Sequence, residues 1–289
     1  MTKHLLTAGG LAFVLLLTFI SISVRKAQGQ NVEVSTSEFV APTVFQAAGP
    51  AATSIQSSVD QYRAALGAPN NLNAPGPLGG GRREINWDGG NTTNQNTTVS
   101  GNPFAGFLVT RGALFTTPDG TGFVQAPASA DPTQFPPGGL AGLFNNPGYA
   151  TSFAPFSPSR LFSPIGSNIT DVEFFQPGGG DIRATTNGFG AIFSDVDLPD
   201  GSGPGEKRGN RKSSTLIEYF GVNDELLFSS FVPASPGDRG QSFFGVVFPD
   251  ARIARVRIIS GNVAPGADDN GKQDVVMMDD FFYGEPRSR

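Results

Sequence analysis

The residues best placed to do chemistry are aspartates that close short apolar runs. In Gly188–Val196 (GFGAIFSDV), strand alternation puts Phe189, Ala191, Phe193, Asp195 and Asp197 on one face. An apolar row there runs straight into two carboxylates. In Asp274–Tyr283 (DVVMMDDFFY), one face carries Val275, Met277, Asp279 and Phe281, and the other carries Val276, Met278, Asp280 and Phe282. Whichever face is buried, an Asp sits among apolar neighbours. A buried carboxylate needs a cation or hydrogen-bond donors to offset its lost hydration. Three kinds of partner are open. A hard cation such as Ca²⁺ takes roughly six to eight oxygen ligands, and Asp clusters supply them. Arg255 and Arg257 share a strand face and can form forked pairs. Backbone N–H groups at turns are the third. A structural Ca²⁺ would fall to Asp195, Asp197, Asp279 and Asp280. A second oxygen-rich stretch, Asp268-Asp269-Asn270-Gly271 with Asp274, lacks the EF-hand spacing.

Other chemistries are excluded. The chain has no Cys and one His, His4. Residues 1–29 read as a secretory signal: Lys3 and His4 start it, Leu5–Val24 is apolar, and Ala27-Gln28-Gly29 offers small residues for cleavage. Cleavage leaves a chain from Gln30 with 17 basic residues against 25 acidic and a net charge of −8. It also removes the only imidazole. A Ser–His–Asp triad, a Cys nucleophile and a His/Cys zinc site are then all unavailable. The acidic balance disfavours nucleic acid and anionic membranes as partners. The expectation is an exported protein (extracellular, periplasmic or attached to the cell surface) with no transmembrane segment after cleavage.

Carboxylates alone can hydrolyse glycosides, and Glu84, Glu173 and Glu218 lie on or near strands. Nothing in the spacing pairs one Glu with another. Trp87, the only Trp, is a candidate sugar-stacking residue, although its neighbours Ile85 and Asn86 also suit a core position. Some Phe between 104 and 162 could form an exposed interaction patch. Asn91, Asn96 and Asn168 begin Asn-x-Thr triplets, read as loop polarity. The basic Gly-rich stretch Asp200–Lys212 reads as a solvated loop.

The elements that must carry these residues are strands. Gly and Pro number 38 and 23, too many for long helices, and charged residues are only 16% of the chain. One helix is expected, over 54–66, with Ile55, Val59, Tyr62 and Leu66 in one stripe, Thr53 or Ser54 as cap, and Gly67 and Pro69 as its stop. After Arg82–Asp88, strands are expected at Thr170–Gln176, Gly188–Val196, Ser214–Phe220, Leu226–Val232, Ser242–Phe248, Ile253–Ser260 and Asp274–Tyr283. Asn223-Asp224 suits a hairpin turn. The reading is all-β: a single antiparallel sandwich over 30–289, best patterned over 160–285, with one short N-terminal helix.

Four segments carry a resemblance: Ser159–Asn168 (SRLFSPIGSN), Gly188–Asp197 (GFGAIFSDVD), Ile253–Ile258 (IARVRI) and Met278–Gly284 (MDDFFYG). Together they are similar to exported bacterial proteins of unassigned function, among them β-sandwich ectodomains of proteins with C-terminal sorting tails. The Asp-Asp-Phe ending also resembles jelly-roll carbohydrate-binding modules. The resemblance implies a jelly-roll or galactose-binding-like sandwich, and a structural Ca²⁺ at Asp195, Asp197, Asp279 or Asp280. The chain departs from the sorted proteins after Tyr283, where Gly-Glu-Pro-Arg-Ser-Arg follows instead of an apolar helix. The expected function is a non-catalytic module binding a glycan or surface component, with possible structural calcium. The alternatives are an adhesive envelope protein that binds other proteins and a carboxylate-only glycoside hydrolase.

Overall fold

A computed structural model describes residues 41–89, 97–128, 138–198, 215–270 and 272–288. The expected signal, Asn91, Asn96 and the basic stretch from Asp200 lie outside the described residues.

The strands of the first half are β1 (Thr43–Gly49), β2 (Arg82–Ile85), β3 (Thr98–Gly101), β4 (Phe104–Phe107), β5 (Ala113–Thr116) and β6 (Gly122–Ala126). Then come β7 (Leu161–Ile165), β8 (Ile169–Phe174), β9 (Ala184–Thr185), β10 (Gly188–Ser194), β11 (Leu216–Phe220) and β12 (Leu226–Phe231). The last are β13 (Gln241–Val247), β14 (Arg255–Ile259), β15 (Met277–Gly284) and β16 (Arg287–Ser288). The helices are α1 (Ala52–Leu66), α2 (Leu108–Arg111), α3 (Gly139–Leu143) and α4 (Tyr149–Ser152).

Two antiparallel sheets pack face to face. The first runs β1-β13-β10-β15-β7-β6-β3, with β2 also paired to β15. The second runs β12-β11-β14-β8-β5-β4. From β7 onward the chain crosses between sheets at nearly every step. Only β11 and β12 are consecutive neighbours in one sheet, joined by the turn at Asn223-Asp224. The four-strand orders β7-β15-β10-β13 and β8-β14-β11-β12 are those of a jelly roll. The first half of the chain widens both sheets: β6 extends the first beside β7, and β5 the second beside β8.

The core between the sheets takes Phe189, Ala191, Phe193, Phe244, Val246, Met278, Phe281 and Tyr283 from the first sheet. It takes Phe115, Val172, Phe174, Ile217, Tyr219, Val256 and Ile258 from the second. The second sheet buries one face, so β14 alternates between buried and half-buried residues. In the first sheet the central strands β10, β13 and β15 are buried on both faces. Helix α1 covers Ile192, Phe243 and Phe282 with the expected stripe of Ile55, Val59, Tyr62 and Leu66. The Tyr62 hydroxyl donates to the Val246 carbonyl at 3.1 Å. Its ring lies so close that a Cβ on Gly190 or Gly245 would come within 2.8 or 2.9 Å of it. These glycines are what let the helix lie flat on the sheet. The helix starts earlier than expected: Ala51 is its N-cap, without a side-chain cap, so neither Thr53 nor Ser54 serves that role.

Helices α3 and α4 were not expected. Tyr149, Phe153 and Leu140 bury another part of the first sheet, against Val124, Leu161 and Met277. No helix among the described residues is long and apolar enough to cross a membrane.

Candidate metal centre

The jelly-roll connectivity brings three connections to one end of the sandwich. Ser194 at the end of β10 pairs with Gln241, where β13 begins, and with Met277, where β15 begins. At the same end, Leu216 of β11 faces Phe231 of β12 and Ile259 of β14. The β10–β11, β12–β13 and β14–β15 connections therefore meet there. Each contributes one aspartate: Asp195, Asp238 and Asp269. One carboxylate oxygen from each lies within 4.8 Å of the other two, a group that can hold a metal ion.

Asp195 follows β10 directly and has φ 74°, a left-handed backbone that turns its side chain out of the strand's alternation. Its N–H donates to the Gly240 carbonyl at 2.8 Å, which ties the turn to the β12–β13 loop. The side chain is fully buried (0% exposed), and no protein donor serves either oxygen. Burial, then a proton shared with the Asp269 carboxyl and the negative charges of Asp269, Asp197 and Asp238, pushes the Asp195 carboxyl up to about 10. The Asp269 carboxyl is also raised, chiefly by burial, although the Val275 N–H donates to its Oδ1 at 3.2 Å. A buried carboxylate without a donor, beside two more, suits a divalent cation better than an apolar interior. Oxygen-only ligands favour a hard cation.

Other residues fix these loops. The Tyr149 hydroxyl donates to the Ala267 carbonyl and accepts the Gly266 N–H, both at 2.8 Å. Asn146 Nδ2 donates to the same Ala267 carbonyl at 3.0 Å. The Arg239 N–H donates to the Ser152 carbonyl at 2.7 Å. The α3–α4 segment thus positions the neighbours of both Asp269 and Asp238. Asp274 accepts the N–H groups of Asp197 and Leu198 at 3.4 and 3.3 Å, and burial pushes its carboxyl up to about 7.

Of the four aspartates expected as calcium ligands, only Asp195 belongs to this group of three. Asp197 stands beside it, and its Oδ1 accepts the Gly237 N–H at 2.7 Å. Asp279 and Asp280 form a separate site because β15 is not regular there. Ala191 faces Phe281 while Phe193 faces Met278, so both aspartates oppose Ile192 alone in a β-bulge. The bulge resets the alternation and puts Phe281 on the core face with Met278, not with Met277 as strict alternation predicts. Asp279 accepts the N–H groups of Phe156 and Ser157 through Oδ2, while its buried Oδ1 has no partner. Burial and the adjoining Asp280 hold its carboxyl well above the usual range. Asp280 accepts the Ser157 hydroxyl at 2.6 Å, and burial lifts its carboxyl to about 6 despite that bond and Arg63 nearby. Asp88 joins this group, accepting the Ser157 hydroxyl and the N–H groups of Ser159 and Arg160 at 3.2, 2.7 and 2.8 Å. These three carboxylates pin the 156–160 segment to β15.

The arginines are committed elsewhere. Arg257 makes a forked pair with Asp171 at 2.8 and 2.7 Å, and Arg255 reaches Asp171 at 3.1 Å and Asp224 as well. Trp87 is a core residue, so the sugar-stacking role is corrected: it is 0% exposed and lies flat on Phe162, centroids 3.7 Å apart. The described Phe residues between 104 and 162 are buried or half-buried, which leaves no exposed Phe patch there among the described residues. Asn168 turns inward, its Nδ2 donating to the Gly261 carbonyl at 3.1 Å. Glu84 pairs with Arg63 and Arg82, and Glu173 with Arg183, rather than with each other. Asp238, absent from the sequence-based set, sits in the turn Ser235-Pro-Gly-Asp-Arg-Gly240. Only the strand order reveals that this turn lies beside Asp195.

At the other end of β10, Asn187 helps line a cavity of about 360 Å³ with Leu66, Asp250, Glu285 and Arg287. Both carboxylates there are paired: Glu285 with buried Arg83 at 2.6 Å and Asp250 with Arg252 at 2.6 Å. No known protein family, curated protein or solved structure matches the chain.

Proposed function

We propose that this chain is an exported, non-catalytic jelly-roll module that binds a glycan or another surface component, and that Ca²⁺ held by Asp195, Asp238 and Asp269 orders its binding end. The observation that carries this reading is the fully buried Asp195 carboxylate with no donor on either oxygen. A cation supplies what the protein withholds. It would cross-link three loops that adjoin β13, β10 and β15, neighbours in the first sheet. Ca²⁺ accounts for the oxygen-only ligand set, and its tolerance of irregular geometry suits ligands drawn from three loops.

Thermal melting with calcium and with chelator, alongside a glycan-array screen under both conditions, tests the reading. Calcium raising the melting temperature and chelation abolishing array binding supports it. Identical melting and identical binding in the two conditions overturns it.

A further inference from the structure

We propose that the cation at Asp195–Asp238–Asp269 is itself the recognition element and takes two neighbouring hydroxyls of a sugar as ligands. This rests on the cation reading above and deepens it.

The three ligand residues are graded in exposure. Asp195 is buried, Asp269 is half-buried and Asp238 is exposed. Protein therefore closes one side of the site and leaves the Asp238 side to solvent. One oxygen from each residue converges, while Ca²⁺ takes roughly six to eight. Even with some carboxylates binding through both oxygens, positions remain for water on the open side. Water there is exchangeable, and a ligand offering two oxygens at chelating distance replaces two waters at once.

Charge selects the ligand class. Three ionised carboxylates carry −3, a divalent cation brings the group to −1, and Asp197, whose Oδ1 accepts the N–H of Gly237 next to Asp238, adds a further negative side chain among the described residues. A group of described side chains still negative after metal binding disfavours a phosphate, sulfate or carboxylate ligand. Neutral oxygen donors meet no such repulsion, and the vicinal diol of a pyranose presents two of them in fixed geometry. The remaining surface points the same way. The exposed large apolar residues among those described are aliphatic, such as Leu72, Val99 and Val109, and the only Trp is buried. Among the described residues no large aromatic side chain is fully exposed, so chelation does not compete there with an open stacking platform.

Terbium(III) luminescence lifetimes, measured in H₂O and D₂O on the purified chain, count the waters on a bound ion. The expected result is bound Tb³⁺ displaced by Ca²⁺ and carrying at least about two waters. Millimolar methyl α-D-mannopyranoside should lower that count, while its 3-deoxy analogue should not. Asp195→Asn should abolish binding of the ion. Tb³⁺ failing to bind overturns the cation reading and this inference together. Tb³⁺ that binds with fewer than two waters, or whose water count the mannoside does not lower, overturns this inference alone.

Discussion

The indole N–H of Trp87 donates to the backbone carbonyl of Asp279 at 2.8 Å. This one bond joins the aromatic core to the β-bulge that separates Asp279 and Asp280 from Asp195. The Trp87 ring also packs edge-on against Phe107, Phe115 and Phe281. Replacing Trp87 by Ala should cost about 3–5 kcal/mol, the usual loss for a buried aromatic. Trp87→Phe keeps much of the packing but leaves the Asp279 carbonyl without this donor, so it should cost less. Chemical denaturation of both variants checks the order. A glycan-binding defect with unchanged stability would contradict the core assignment.

Arg83 and Glu285 form a buried two-pronged ion pair, at 2.6 and 2.7 Å. Arg83 also donates to the carbonyls of Leu72, Ala74 and Thr110, which fixes the Pro/Gly-rich loop after α1. Arg83→Met leaves the Glu285 charge buried and should destabilise by about 3–5 kcal/mol. Double replacement by apolar residues should recover part of that loss. A double-mutant cycle in urea reads both effects.

Tyr149→Phe removes one hydroxyl that makes two bonds to the loop carrying Asp269. The fold should persist, because the ring still packs on Phe153. Calcium affinity should fall by about 10- to 100-fold, as is typical when a ligand's support is lost. Calorimetric titration checks this against an unchanged melting temperature in chelator.

Burial raises the Asp280 carboxyl to about 6 in the folded chain. The folded state therefore binds more protons than the unfolded state between the ordinary Asp value and about pH 6. Stability from this group is greatest below that window and is lost as pH rises through it. Asp280→Asn should flatten the fall in chelated-protein stability between about pH 4 and 6. A slope that steepens instead would contradict the burial assigned to Asp280.

The strand pattern of an antiparallel sandwich was legible because buried strands read as short β-branched and aromatic runs between turn residues. Each of the seven strands expected after residue 160 has a counterpart, from β8 to β15, with ends that coincide or shift by up to three residues. β7 was not legible, since Pro164 lies within it; that proline sits beyond Phe162, where β7 meets β15. Alternation failed at Asp279-Asp280 because a bulge has no signature in residue type alone. Asp238 and Asp269 could not be joined to Asp195 because loops far apart in sequence meet only through sheet order. Helices α3 and α4 were hidden among glycine and proline, yet they hold two of the three ligand loops.

In chelator at neutral pH, Asp195→Asn should melt higher than the natural chain, because it removes the cost of protonating a buried carboxyl that ionises in the unfolded chain. The gain should be roughly 2–4 °C for each kcal/mol recovered. Differential scanning calorimetry checks this.

Calcium titration by isothermal calorimetry on the natural chain, Asp195→Asn and Asp280→Asn is the most direct measurement. The account predicts one calcium site in the natural chain, its loss in Asp195→Asn and its retention in Asp280→Asn. No calcium binding by the natural chain, or binding that survives Asp195→Asn and disappears with Asp280→Asn, would contradict it.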